Sequence, residues 1–348
     1  MIKKQTKRIL RIVFITASLL SLMLIPWSLV KAWILPLPDT VQEQVNEAIG
    51  HGFDGMIVYV DQAGSPPELY AAGWHDRKTQ IPADPQALFK IASISKLYLA
   101  VATAKLVHDK SLSLDKTLAD YFPDLEGRIE NADKITLRMM VQHRSGIPNF
   151  TDAPGYWEDP PRDNRENLDL VLDKPSDFEP DEKYSYSNTN YLLIGDILDK
   201  VLGYSHHQYI KKEILMPLEL NNTYSLLSEV DLDDVMSGYY IGYDGDLKAN
   251  NFTSPAGSMV ATAKDVGIFL KALNDGSLFK EGEQAIYSSI YEYEHTGLLP
   301  GYSSIARYHK DIDAVVVQFV NTNGGYTWNL TEIVYNRIIK IVRSKKSS

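Results

Sequence analysis

The chain of 348 residues contains no cysteine. Disulfides, thiolate metal sites and cysteine nucleophiles are therefore excluded. It is also short of positive charge: 35 lysines and arginines stand against 45 aspartates and glutamates, a formal net charge of -10. That balance argues against a nucleic-acid partner. It has no internal repeat and no low-complexity tract. The histidines suggest no metal site. His206 and His207 are adjacent, and adjacent residues on a helix point about 100° apart, so they do not chelate one ion and read as surface residues. Asp231-Leu232-Asp233-Asp234 lacks EF-hand spacing and reads as a solvated turn. No metal and no cofactor is expected. What remains is an ordinary globular composition, long enough for one large domain or two lobes around an ample core.

Lys3, Lys4, Lys7, Arg8 and Arg11 precede an uncharged run from Ile12 to Val30. Basic residues followed by an apolar run are the pattern of an export signal or a membrane anchor. Val30-Lys31-Ala32 offers a cleavage site, with Pro26 breaking the helix before it. Uncut, the run is just long enough to span a bilayer. Either way residues 1–38 form a leader or anchor plus linker, Trp33 to Pro38 being the linker. The body of the protein is expected outside the cytoplasm, membrane-anchored or secreted.

Thr40 to Ile49 reads as a helix. Gly55 to Asp61 and Glu68 to Gly73 read as a hairpin around Ala63-Gly64-Ser65-Pro66-Pro67. From Ser113 to about Gly203 the pattern is helical, with loops rich in proline and acid. Ile135 to Val141 is a helix entered through a threonine cap. Ser254 to Thr262 is a loop of small residues, followed by an amphipathic helix from Ala263 to Leu273. The last third turns to strands, Tyr287 to Glu294 leading into His295, then Tyr302 to Tyr308 and Ala314 to Val320, before a closing helix from Trp328 to Val342. The order predicts an α/β (α+β type) fold in which the terminal strands pair into one antiparallel sheet around a helical insert.

Ser93 and Lys96 stand three apart at what reads as a helix start, so they share a face. A serine hydroxyl needs a neighbouring base, and a lysine that loses its charge on burial can serve. The positive end of the helix favours an oxyanion. Tyr186 and Asn188, two apart at a loop-to-helix junction, can face one cleft. A phenol relays protons if a cation lowers its pKa, and an asparagine amide can bind a substrate carbonyl and a lysine together. His143, followed by a helix stop, reads as a structural histidine bonded to backbone.

Three elements thus stand in order: Ser93-Ile94-Ser95-Lys96, Tyr186-Ser187-Asn188 and His295-Thr296-Gly297. Together they resemble the penicillin-recognising serine hydrolases, and more closely the branch of class C β-lactamases and D-alanyl-D-alanine carboxypeptidases. The resemblance covers nearly all of Asp54 to Val342. It implies an antiparallel sheet flanked by helices plus an all-helical lobe, within a domain from 39 to 348. The α/β lobe would take about 39–105 and 254–346, and the helical lobe about 106–253. It also implies the site roles. Ser93 is acylated, Lys96 and Tyr186 share the proton work, and Asn188 holds the substrate amide. The backbone N–H groups of Ser93 and Leu298 form the oxyanion hole, and His295 and Thr296 beside Gly297 meet the substrate carboxylate. Which of Lys96 and Tyr186 is the base stays open.

The chain departs from the pattern in three places. Glu179-Pro180-Asp181-Glu182 stands where relatives often have Pro-Gly-Glu, Leu298 where they often have glycine, and His295 where many β-lactamases have lysine. The leading expectation is a D-Ala-D-Ala carboxypeptidase acting on cell-wall peptides, with β-lactamase and small-ester esterase as alternatives. A catalytically silent binding module is the reading from another class, opposed by three intact signatures.

Overall fold

The computed structural model describes residues 4–346. Lys3, counted above among the basic residues, lies outside the described residues. The first two helices, α1 (Lys4–Met23) and α2 (Trp27–Ile34), are bent by 73° at the break before Trp27. Among the described residues no single helix is long and apolar enough to cross a membrane, while the bent pair meets length and composition together. Trp33 and Ile34, read above as the start of a linker, complete α2, whose Ala32 is buried.

The next helix, α3 (Val41–Gly50), is started by a capping box: Thr40 accepts from the Glu43 backbone, and the Glu43 side chain accepts from that of Thr40. The hairpin β1 (Gly55–Gln62) and β2 (Glu68–Asp76) follows, with a two-residue edge strand β3 (Ile81–Pro82). Then comes α4 (Ser95–His108), which is buried almost all round, as an apolar helix inside a protein should be. In the long middle segment α5 (Leu137–Val141) is capped by Thr136, and α6 (Asn188–Leu202) ends on Gly203 in the left-handed conformation. The last part holds α7 (Ala263–Asp275), α8 (Glu283–Ser288), β4 (His295–Leu299), β5 (Tyr302–His309), β6 (Ala314–Val320) and α9 (Thr327–Lys346).

The six strands form one sheet in the order β3-β2-β1-β6-β5-β4. β1 and β6 pair antiparallel from Met56 opposite Val320 to Gln62 opposite Ala314, so strands from the two ends of the domain close the sheet as expected. Side chains alternate across β1. Met56, Val58 and Val60 face a core shared with α3 and α9, and Ile57 and Tyr59 face the core of α4 and α7. Burial on both faces explains why β1 is a continuous apolar run. The helix α7 lies so close to this sheet that a Cβ on Gly267 would sit 2.1 Å from the Tyr59 ring.

Two expectations are corrected. Part of the stretch from Tyr287 to Glu294 is the end of α8 instead of a strand. Lys105 of α4 captures Glu283 inside the protein at 2.9 Å, which fixes the start of α8 and lets Tyr287 bury. His206 is not a surface residue: it is buried, its Nδ1 is 2.7 Å from Asp199 Oδ1 and its ring packs on that of His207.

Gly267→Ala should force α7 off the sheet and cost about 1–3 kcal/mol, the usual range for overpacking. Urea unfolding should show a lower midpoint with an unchanged slope. An unchanged midpoint would mean that α7 is free to move outward.

Candidate active site

A 3-10 turn, Ala92–Ile94, precedes α4. Ala92 has φ of 51°, a left-handed backbone that strains a residue with a side chain. This sharp turn leaves Ser93 partly exposed while Ile91, Ala92 and Ile94 are buried. Lys96, one turn on, is wholly buried. Its Nζ lies 3.1 Å from Ser93 Oγ, 2.8 Å from Asn188 Oδ1 and 2.6 Å from Ala256 O. Burial pushes the Lys96 ammonium well below its ordinary pKa. The neutral amine has two hydrogens and one lone pair. Asn188 Oδ1 and Ala256 O can only accept, so they take the hydrogens and the lone pair faces the Ser93 hydroxyl.

Tyr186 sits at the turn into α6, and its hydroxyl donates to Ser93 Oγ at 2.7 Å. The expectation that a cation lowers this phenol's pKa is corrected. Burial raises it above the ordinary value, and Lys96, driven toward the neutral amine, supplies no lasting charge. Burial thus favours a neutral phenol and a neutral amine on one hydroxyl, and of the two the amine is the better proton acceptor.

Asn188 is fixed from two sides. Its backbone N–H donates to Asn149 Oδ1 at 2.9 Å, and its Nδ2 donates to Thr151 Oγ1 at 3.1 Å, which turns Oδ1 toward Lys96. His143 packs its ring on that of Tyr186 at 4.5 Å, and its Nδ1 accepts the Ser187 backbone N–H at 3.2 Å. Burial pushes the His143 pKa down to about 3. It acts on the position of Tyr186.

The strand β4 runs along the turn that carries Ser93. A Cβ on Gly297 would lie 2.4 Å from Ile91 O and 2.3 Å from Ser304 Oγ, so only glycine lets the strand approach this closely. Leu298 follows at the mouth and is 54% exposed. His295 is partly buried, with its ring beside those of Tyr291 and Tyr186. Its Nε2 is 2.9 Å from the Tyr291 hydroxyl, and its Nδ1 is paired with Thr296 O. A carbonyl can only accept, so Nδ1 carries the proton and Nε2 accepts from Tyr291. Burial is the main cause that pushes its pKa down, to about 4. His295 is therefore neutral near pH 7, and its one N–H is already used.

The structure thus brings Ser93, Lys96, Tyr186 and Asn188 into direct contact and sets His295, Thr296, Gly297 and Leu298 on the adjoining strand. Sequence reasoning missed Tyr291, Thr151, Asn149 and the Ala256 carbonyl. Asn149 and Thr151 follow Pro148 as two polar residues spaced by one, and Ala256 lies in the small-residue loop; both were visible signals with no partner attached.

The family model described as Beta-lactamase matches residues 39–290. The chain belongs to the β-lactamase family. Among curated relatives, "Protein flp" of Staphylococcus aureus (strain MW2) is 22% identical over 338 residues, covering 87% of this chain and 68% of that relative. In the solved structures, D-amino acid amidase from Ochrobactrum anthropi SV3 complexed with L-phenylalanine superposes with a TM-score of 0.79 at 21% identity, covering 88% of this chain and 99% of that one. "Beta-Lactamase/D-Alanine Carboxypeptidase from Pseudomonas syringae" superposes with a TM-score of 0.71 at 16% identity, covering 86% and 97%. These two share the fold of this β-lactamase-family chain.

Both imidazoles of this site are held neutral, so the unfolded chain, whose histidines titrate near 6.5, takes up protons first as pH falls. Their contribution to stability is complete above that value and is lost on acidification toward about 4. Urea unfolding should show a smaller loss between about pH 7 and about pH 5 for His295→Asn than for the wild type. An equal loss in both would contradict the neutral His295.

Proposed function

We propose that this chain is a serine hydrolase that acts outside the cytoplasm and forms an acyl-enzyme on Ser93, with small amides or esters as acyl donors. Lys96 takes the Ser93 proton as the hydroxyl attacks, and Tyr186 passes a proton to the leaving group. The backbone N–H groups of Ser93 and Leu298 hold the oxyanion, and Asn188 steadies Lys96 and the acyl carbonyl. Water then repeats the sequence in reverse. Of relatives with this fold, the amidase supports an amide substrate. Support for the placement outside the cytoplasm is the basic start followed by the apolar run from Ile12 to Val30.

One observation carries the choice of donor: the strand that should hold a substrate carboxylate offers no free cation. His295 is neutral with both nitrogens engaged. Arg307, which lines the same cleft with Glu292, Glu294 and Thr296, is committed to Glu332 at 3.1 Å and Glu294 at 3.6 Å. A carboxylate entering there would meet acidic side chains and no compensating charge. A neutral carboxamide or ester is not penalised in this way. The D-Ala-D-Ala carboxypeptidase reading rests on Thr296, whose hydroxyl has no hydrogen-bond partner among the described residues and is a neutral donor to a carboxylate.

Steady-state hydrolysis of an amino-acid amide, a simple ester, a D-Ala-D-Ala peptide and a penicillin on one preparation tests this. The amide or ester should turn over with the highest kcat/KM, and penicillin should label Ser93 and leave slowly. Faster turnover of the D-Ala-D-Ala peptide would favour the carboxypeptidase, and rapid turnover of penicillin the β-lactamase. Ser93→Ala should abolish both turnover and labelling, and Tyr186→Phe should cost roughly two to four orders of magnitude in rate. Labelling that survives Ser93→Ala would refute the acyl-enzyme.

A further inference from the structure

The helix α2 is apolar on two sides that meet different surroundings. Its inner side packs on α9: Ala32 is fully buried and Leu29 partly so, in one cluster with Val334, Ile338 and Ile341. Arg337 locks this junction from below. Its guanidinium, only 5% exposed, donates to Leu35 O at 2.7 Å, Pro36 O at 2.9 Å and Gln44 Oε1 at 2.6 Å, and pairs with Glu47 at 3.1 Å. A buried guanidinium left without such partners is costly, so the segment after α2 is part of the fold and not a loose tether.

Among the described residues the outer side of α2 is largely open, the Trp27 indole N–H donating to Leu22 O at 3.0 Å. Trp27 is 48% exposed, Trp33 76% and Ile34 64%. Two tryptophans open to solvent on an eight-residue helix are unusual on a soluble surface and common at the edge of a bilayer, where an amphipathic ring sits at the headgroup level. The rim is basic in a chain that is otherwise acidic. Lys31 is exposed on α2, and Lys340 of α9, together with Arg343, which is paired with Asp311 at 2.8 Å, shares a groove with Trp33, Leu35 and Leu37. Upstream, α1 exposes Ile12, Val13, Phe14, Leu19 and Leu20, and the 73° bend between the two helices turns α2 away from its axis.

We propose that α2 is an interfacial helix, retained in the mature protein, that seats the catalytic domain on an anionic phospholipid bilayer. The helix α1 enters the bilayer. α2 lies in the headgroup plane with Trp27 and Trp33 toward the acyl chains and Ala32 on α9, and Lys31 and Lys340 meet the phosphates. This rests on the placement outside the cytoplasm proposed above and refines it. Cleavage after Ala32 would strip Leu29 and Ala32 from the core, so the segment is a structural part of the domain.

The test uses the full chain purified from membranes and returned to vesicles of phosphatidylcholine with phosphatidylglycerol. The intact mass should begin at the natural N-terminus. Tryptophan fluorescence should be quenched by lipids brominated near the headgroup, and the Trp27→Phe/Trp33→Phe double variant should lose most of that quenching while keeping wild-type hydrolysis by Ser93. A mature chain beginning at Trp33, or quenching that is unchanged in the double variant, would overturn the interfacial helix and leave export standing. Full-length protein confined to the cytosol would overturn the placement itself, together with the inference built on it.

Discussion

The site depends on one buried nitrogen. At Lys96 Nζ three parts of the chain meet: the turn that carries Ser93, the first residue of α6 through Asn188, and the small-residue loop through the Ala256 carbonyl. Remove water from an amine and its charged form becomes expensive. Surround it with two atoms that can only accept, and its lone pair has one direction left. The buried α4 supplies the dryness, and Asn149 and Thr151 supply the orientation by holding Asn188. The sheet serves the same end at a distance, because β4 can lie against Ser93 only where Gly297 carries no side chain.

The parts of this arrangement that were legible in the sequence are those set by local geometry. Ser93 and Lys96 meet because three residues make about one helical turn. Thr40 and Thr136 start helices because their hydroxyls reach the third residue on, whatever lies elsewhere. The pairing of β1 with β6 could be foreseen because both are apolar runs that need two covered faces. What escaped was set by contacts across long stretches of chain. Glu283 starts a helix because Lys105 is buried beside it, and nothing near Tyr287 announces that. His206 is buried because Asp199 and the His207 ring surround it. Tyr291 was invisible for the same reason: its importance lies wholly in the His295 nitrogen that it fills.

His295 shows how a motif can be present while its chemistry changes. The resemblance makes it a carboxylate-binding residue, but its proton is given to Thr296 O and its lone pair to Tyr291. Arg307 cannot take over, being held between Glu294 and Glu332. The cleft therefore sets Ser93 beside Lys96 in surroundings poor in positive charge, which is the ground for the proposed uncharged acyl donors. The acidic balance of the chain is expressed locally at Glu292 and Glu294, while Lys31, Lys340 and Arg343 lie near α2 and the end of α9.

The central claim is that Lys96 is a neutral amine in the resting protein. Its most direct test is a pH titration of the Lys96 side-chain carbon in selectively 13C-labelled protein, assigned by comparison with Lys96→Arg. The account predicts a neutral-amine signal at neutral pH, with the transition far below the ordinary value of 10.5. A signal that stays charged until that ordinary value is reached would contradict it, and would shift the search for the base away from Lys96.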